Sequence, residues 1–182
     1  GAAAVSVDLS KRPVPRRQRF TILLVGEGHA EVALLTHLKG LYASRGSGVA
    51  ISIRNARGKG AAYVVNYAIR QTRNAAYDRV VTLLDADTGW NSAVRSKAAR
   101  ARIEVIACAP CLEVLLLQVR DEMVRDGLTS VQIKQQFETR FGAPAHEPRI
   151  YSEHFGRQYL DHARHRLGEL DRLLRAFAAL SA

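Results

Sequence analysis

The chain has 182 residues, 47% of them hydrophobic. That is enough for one domain with a real core, and no apolar run is long enough to span a bilayer. Two cysteines exclude a disulfide-dense scaffold. The formal net charge of +10 is uneven: residues 1–102 carry 17 Lys and Arg against 6 Asp and Glu, residues 103–182 carry 10 against 11. Basicity confined to one part of a chain points to a polyanionic partner, with nucleic acid first and a membrane surface second.

Residues 1–18 include Lys11-Arg12-Pro13-Val14-Pro15-Arg16-Arg17. Two prolines among four cations cannot pack a core, so this stretch reads as a flexible basic arm. The leading Gly-Ala-Ala-Ala reads as an expression remnant and not as a signal peptide, which favours a cytoplasmic protein.

Phe20 to Val25 is an apolar, β-branched run that predicts a buried strand. It ends in Gly26-Glu27-Gly28-His29-Ala30-Glu31, before an amphipathic helix marked by Leu34, Leu35, Leu38 and Leu41. The glycines flanking Glu27 predict a sharp turn and close approach to a ligand. Neither GxGxxG nor GxxxxGK[ST] is present, so a nucleotide-cradling loop is not supported. A second strand is expected at Val49 to Ile53. The loop Arg54-Asn-Ala-Arg57-Gly58-Lys59-Gly60 follows, and then a helix over Tyr63 to Ala76. Arg54, Arg57 and Lys59 are suited to gripping a phosphate backbone, or are solvated cations of an ordinary turn.

Val80, Val81, Leu83 and Leu84 predict a buried parallel strand that stops on Asp85 and Asp87. Paired carboxylates at a strand's carboxyl end suit a divalent cation held through oxygen. They equally suit a turn whose Asp side chains bond their own backbone. Asn91 is placed to cap a helix through Arg100, and Ile103 to Ala107 is a fourth strand. The pattern βαβαβαβ predicts an α/β parallel sheet flanked by helices. Right-handed crossovers then bring Glu27, Asp85 and Asp87 to one edge.

Cys108-Ala-Pro-Cys111 follows, and then the apolar Leu112 to Leu117 with Glu113 inside it. A C-x-x-C at a strand end is also how redox sites are built. Two small buried thiols are the plainer reading. Trp90 and Tyr77 read either as core or as a stacking surface. Beyond about Thr129 the chain reads as helices, Val131 to Phe141 and Arg157 to Leu180. The second of these packs on the core or on another copy of the chain.

The ordered set resembles the TOPRIM domain of topoisomerases, primases and several nucleases. Its parts are a Glu-Gly after strand one, a Glu four residues on, and an Asp-x-Asp after a later strand. Ala109-Pro-Cys-Leu-Glu113-Val-Leu-Leu-Leu117 looks like the Asn-Pro-Cys-Phe-Glu-Leu-Trp-Leu-Leu-Leu segment of RloB-like TOPRIM proteins, a bacterial family associated with phage defence. It departs from the family pattern at Gly26, Ala109 and Val114.

The resemblance implies a TOPRIM-like (Rossmann-like) sheet over 19–120 with a helical extension over 121–182. It implies a cytoplasmic Mg²⁺- or Mn²⁺-dependent nuclease, a hydrolase of DNA or RNA. It implies catalytic roles for Glu27, Asp85 and Asp87, and a ligand set of Glu27, Glu31, Asp85, Asp87 and Glu113. Expected partners are nucleic acid, a second copy of the chain through the C-terminal helix, and a defence-system protein; no membrane is expected. The rival readings are a nucleic-acid-binding module without catalysis and, behind it, a C-x-x-C redox protein.

Overall fold

A computed structural model of the chain describes residues 3, 19–44, 46–58 and 60–177. The expected basic arm over 1–18, Lys59 and the end of the last helix fall outside the described residues, apart from Ala3.

Four strands form one parallel sheet in the order β2-β1-β3-β4. They are β1 (Phe20–Gly26), β2 (Val49–Asn55), β3 (Arg79–Asp85) and β4 (Glu104–Cys108). β1 and β3 are the inner strands, in register from Ile22–Arg79 to Gly26–Leu83. Their fully apolar runs follow from burial on both faces. β2 is an edge strand and only half-buried. The chain turns one way from β1 to β2 and the other way to β3 and β4. The β1/β3 boundary is therefore the switch point at which open α/β sheets present their ligand crevice.

The helices divide between the two faces. α2 (Ala61–Asn74) and α3 (Ser92–Arg100) cover one, packing Val64, Val65, Ala68, Val94 and Ala98 on Leu23, Val25, Val80 and Leu84. Asn91 caps α3 as its sequence position suggests, its Oδ1 accepting from Val94 N at 3.0 Å. The other face takes α1 (His29–Tyr42) and α4 (Leu112–Val119) against Ile22, Leu24, Val81, Leu83 and Ile106. Burying each such Leu, Ile or Val contributes roughly 1.5–3 kcal/mol.

The remaining helices thicken that second layer. They are α5 (Ser130–Phe141), α6 (Pro148–His154), α7 (Arg157–Ala163) and α8 (Gly168–Phe177). Phe137, Phe141 and Phe155 knit α5 to the end of α6, with ring centroids 4.8 to 6.3 Å apart. The single helix expected from Arg157 to Leu180 is two. The chain turns over 164–167 and restarts at Gly168, a poor helix former. Arg164 Nε bridges the turn to Asp171 Oδ1 at 2.8 Å. The break lets Leu160 and Ala163 of α7 and Leu170, Leu173 and Leu174 of α8 all reach one core. The apolar face of α8 is thus buried within the chain.

The α/β parallel sheet flanked by helices is what the strand and helix patterning predicts. Among the described residues no helix is long and apolar enough to cross a membrane.

Candidate metal centre and its cleft

Four carboxylates gather at the carboxyl edge of the sheet, each delivered by a different segment. Glu27 follows β1, and its N–H continues the ladder by donating to Leu83 O at 3.0 Å. Asp85 closes β3, alternating with Val81 and Leu83 onto the face of α1 and α4. Glu31 sits in the first turn of α1 and accepts the Gly28 N–H at 3.0 Å. Glu113 sits in the first turn of α4. All four are at least nine-tenths buried. Ligand oxygens of Glu27, Glu31 and Asp85 lie within 4.8 Å of one another.

Glu27 is pinned. Its Oε2 accepts the Asp85 N–H at 3.1 Å, and its Oε1 accepts the Thr88 hydroxyl at 2.7 Å. Its flanking glycines therefore do not leave it loose. Gly26 is required for another reason: a Cβ there would sit 3.0 Å from Glu31 Cβ and from Val32 N. Only glycine lets α1 start this close to the strand, and that closeness places Glu31 beside Asp85. Gly28 carries no such constraint, since its Cβ would meet only Glu31 Oε2, at 3.6 Å.

Asp85 Oδ1 accepts the Leu112 N–H at 2.8 Å, so the first turn of α4 is tied to the end of β3. Lys134 of α5 reaches in from the opposite wall. Its Nζ donates to both Glu113 oxygens at 2.9 Å and lies 3.8 Å from Asp85 Oδ2.

One ammonium among four buried carboxylates leaves the group short of positive charge. Burial, with Asp85 and then Glu27 and Glu113 nearby, pushes the Glu31 carboxyl up to about 8. Burial likewise raises Asp85 to about 6, against the opposing pull of Lys134 and the Leu112 N–H. Lys134 is itself held above the ordinary lysine range by its bonds to Glu113. Carboxyls driven up in this way favour binding a cation in place of their protons. Three hard oxygen donors from separate segments suit Mg²⁺ or Mn²⁺ and give no reason to prefer zinc.

The group forms the floor of a cleft of about 530 Å³ whose walls include His29, Gly58, Gly60, Lys134 and His146. The β2–α2 loop forms one rim. Ala56 N donates to Gly26 O at 2.9 Å, and Gly58 N donates to Glu27 O. Arg57, with a left-handed φ of 68°, is exposed there, and its N–H is held by Asn55 Oδ1 at 2.7 Å. Arg54 is exposed on the end of β2.

The structure thus brings together Glu27, Glu31, Asp85 and Glu113, while Arg54 and Arg57 are exposed on the end of β2 and the loop after it and are not among the residues that line the cleft. Asp87 stands apart. It is exposed, its N–H is bound to Pro110 O at 3.1 Å, and its Oδ2 accepts the Ser130 hydroxyl of α5. Ser130 and Lys134 are four residues apart on one helix face, so Asp87 holds the helix that carries Lys134.

Sequence reasoning missed Lys134 and Thr88. Lys134 follows the buried Ile133 and lies three residues before the buried Phe137, at the margin of the inward stripe of α5. A cation in that phase was the available signal. Cys108 and Cys111 are free and buried. Burial pushes the Cys111 thiol up to about 12 and Cys108 well above the ordinary thiol range, the opposite of the lowered pKa that a redox-active cysteine needs. Comparison of the chain with protein-family models, curated proteins and solved structures finds no match.

Proposed function

We propose that the protein is a divalent-metal-dependent nuclease of TOPRIM type, serving in bacterial phage defence as its resemblance to RloB-like proteins implies. The observation that carries the reading is the meeting of Glu27, Glu31 and Asp85 within 4.8 Å at the switch point of a parallel sheet, beneath an exposed arginine loop.

Hydrolysis of a phosphodiester needs a proton taken from the attacking water and the charge on the phosphoryl group offset. Bound Mg²⁺ supplies that positive charge and makes water more acidic. Glu27, Glu31 and Asp85 are the residues that would hold it. Glu27 keeps a lone pair on each oxygen beyond the bonds from Thr88 and Asp85, so it is placed to take the proton. Lys134 faces the cleft as a cation for a phosphoryl oxygen. Asp87 acts at one remove, by keeping α5 in place. Arg54 and Arg57 hold the backbone of the strand without reading its bases, which makes affinity fall with salt.

Labelled single- and double-stranded DNA and RNA, incubated with Mn²⁺ or Mg²⁺, test the proposal. Cleavage is expected for at least one of the four, and Glu27→Gln should lower turnover by roughly 10²- to 10⁴-fold while oligonucleotide binding survives. A protein that cleaves none of them, and binds as tightly after Asp85→Asn, overturns it. The second reading, a binding module without catalysis, draws support from Lys134, which neutralises Glu113 with no metal at all.

A further inference from the structure

The layer formed by α2 and α3 carries a second cleft that the acidic site does not explain. It measures about 420 Å³ and lies between α3, the outer edge of β4 and α8. Its wall includes Trp90, Arg95, Val105, Glu169 and Arg172. Trp90, the chain's single tryptophan, is half-buried, and the Arg95 guanidinium lies 5.5 Å from its ring centroid. A ring face that takes a planar cation also takes a planar base.

The charge around this cleft is one-sided. Neither α2 nor α3 contains an Asp or Glu, while Arg70, Arg73, Arg95, Lys97 and Arg100 are exposed on them. None of these cations makes an ion pair among the described residues, nor does Arg172 across the cleft. Glu169 is the one carboxylate in the described wall, set against two guanidiniums. Half-buried Tyr63, Tyr67 and Tyr77 pack on the same core cluster as Trp90, and Arg70 lies over the Tyr63 ring at 5.7 Å.

We infer that this cleft, continued by the cations of α2 and α3, binds an unpaired nucleic-acid strand, with a base on Trp90 and phosphates on Arg95 and Arg172. Cations alone would grip any polyanion. The aromatic rings beside them select one with flat, stackable groups, and only an unpaired base offers its face. A membrane surface fits less well, because binding there needs exposed large apolar side chains beside the cations. Those exposed among the described residues, Met123, Val131 and Tyr159, lie in the C-terminal helical region and not on α2 or α3.

The cleft connects to the acidic floor along the chain. Trp90 is five residues from Asp85, at most about 18 Å of backbone, which a few nucleotides bridge. The inference rests on the nucleic-acid reading above but not on cleavage.

The single tryptophan makes the cleft its own reporter. Titrating the full chain, in EDTA to prevent cleavage, with a thymidine oligonucleotide of about 15 nucleotides should quench Trp90 emission. Arg95→Ala with Arg172→Ala should weaken binding about tenfold and reduce the salt slope by roughly 0.7 per lost phosphate contact. Read by anisotropy of a labelled oligonucleotide, Trp90→Phe should retain most affinity and Trp90→Leu should lose about tenfold, with circular dichroism confirming the fold. Three results overturn the inference: oligonucleotide binding with unchanged emission, full affinity in the double-arginine variant, or quenching by phosphatidylserine vesicles and not by the oligonucleotide. Quenching without any cleavage activity leaves the cleft standing and removes the nuclease. Cleavage with unmoved emission does the reverse.

Discussion

The two faces of the sheet treat charge in opposite ways. In the C-terminal helical layer the arginines are largely matched with carboxylates: Arg140 with Glu122, Arg166 with Asp121, Arg164 and Arg175 with Asp171. On α2 and α3 the exposed cations have no such partners among the described residues. Exposed ion pairs stabilise little. Their effect here is to cancel the field of the C-terminal layer, leaving the other face positive. At the edge where the layers meet lies the reverse case, four buried carboxylates with one ammonium. On the reading proposed above, paired charge belongs to the architecture and unpaired charge to the places where a metal ion or a strand would be received.

That contrast breaks most visibly at Lys134. Lys134→Ala leaves Glu113 buried without its partner, which costs about 2 kcal/mol once the half-exposure of the lysine is allowed for. The expected fall in Tm is about 4–8 °C by differential scanning fluorimetry without metal. Added Mg²⁺ should recover part of it, because the freed carboxylates then favour a cation. An unchanged Tm would mean that the lysine matters little to the charge of the group.

Glu31→Gln tests the acidic group from the other side. The folded-state pKa of Glu31, about 8, lies above its ordinary value of 4.5. The contribution of Glu31 to stability is therefore fully present below about pH 4.5 and is lost as pH rises toward 8. An amide is never ionised, so the variant should melt higher than the parent at pH 8, by roughly 1 kcal/mol or about 2–4 °C, and little differently near pH 5. It should also lose the Tm rise produced by Mn²⁺. A variant less stable at pH 8 would show that the carboxylate is already compensated.

The smallest effect is expected at a paired surface cation. Arg164→Ala should cost about 0.5 kcal/mol and leave the salt dependence of oligonucleotide binding unchanged. Arg73→Ala with Arg100→Ala should do the opposite, holding Tm and flattening that dependence. If both variants behave alike, pairing does not separate the two faces.

The sheet and the acids at its edge were legible because each follows from a local pattern. Apolar runs broken by carboxylates mark strand ends, and crossover handedness then gathers Glu27 and Asp85 without knowledge of any distance. Glu31 and Glu113 came from the resemblance to RloB-like proteins, and the structure places each in the first turn of a helix at that edge. Asp87 misled, because spacing alone cannot tell a residue facing into a cleft from one a step further along the loop. Lys134 arrives from a helix whose docking depends on long-range packing of Phe137, Phe141 and Phe155, and no local pattern reports such packing. The division of the last helix was hidden because Leu160, Leu167 and Leu170 keep a helical rhythm across the turn that separates α7 from α8.

Gly60 carries a consequence of a different kind. Its φ is +87°, a Cβ there would lie 2.9 Å from Thr88 O, and Thr88 O also accepts the Ala61 N–H at 2.8 Å. The hydroxyl of the same threonine is bonded to Glu27. The start of α2 and the acid that follows β1 are thus joined through one residue, like two levers on a common pin. Under the nuclease reading, a strand settling on the arginine loop would press on a residue two contacts from the carboxylate below. On that reading, occupancy at the rim would bear on the alignment of Glu27 at the floor.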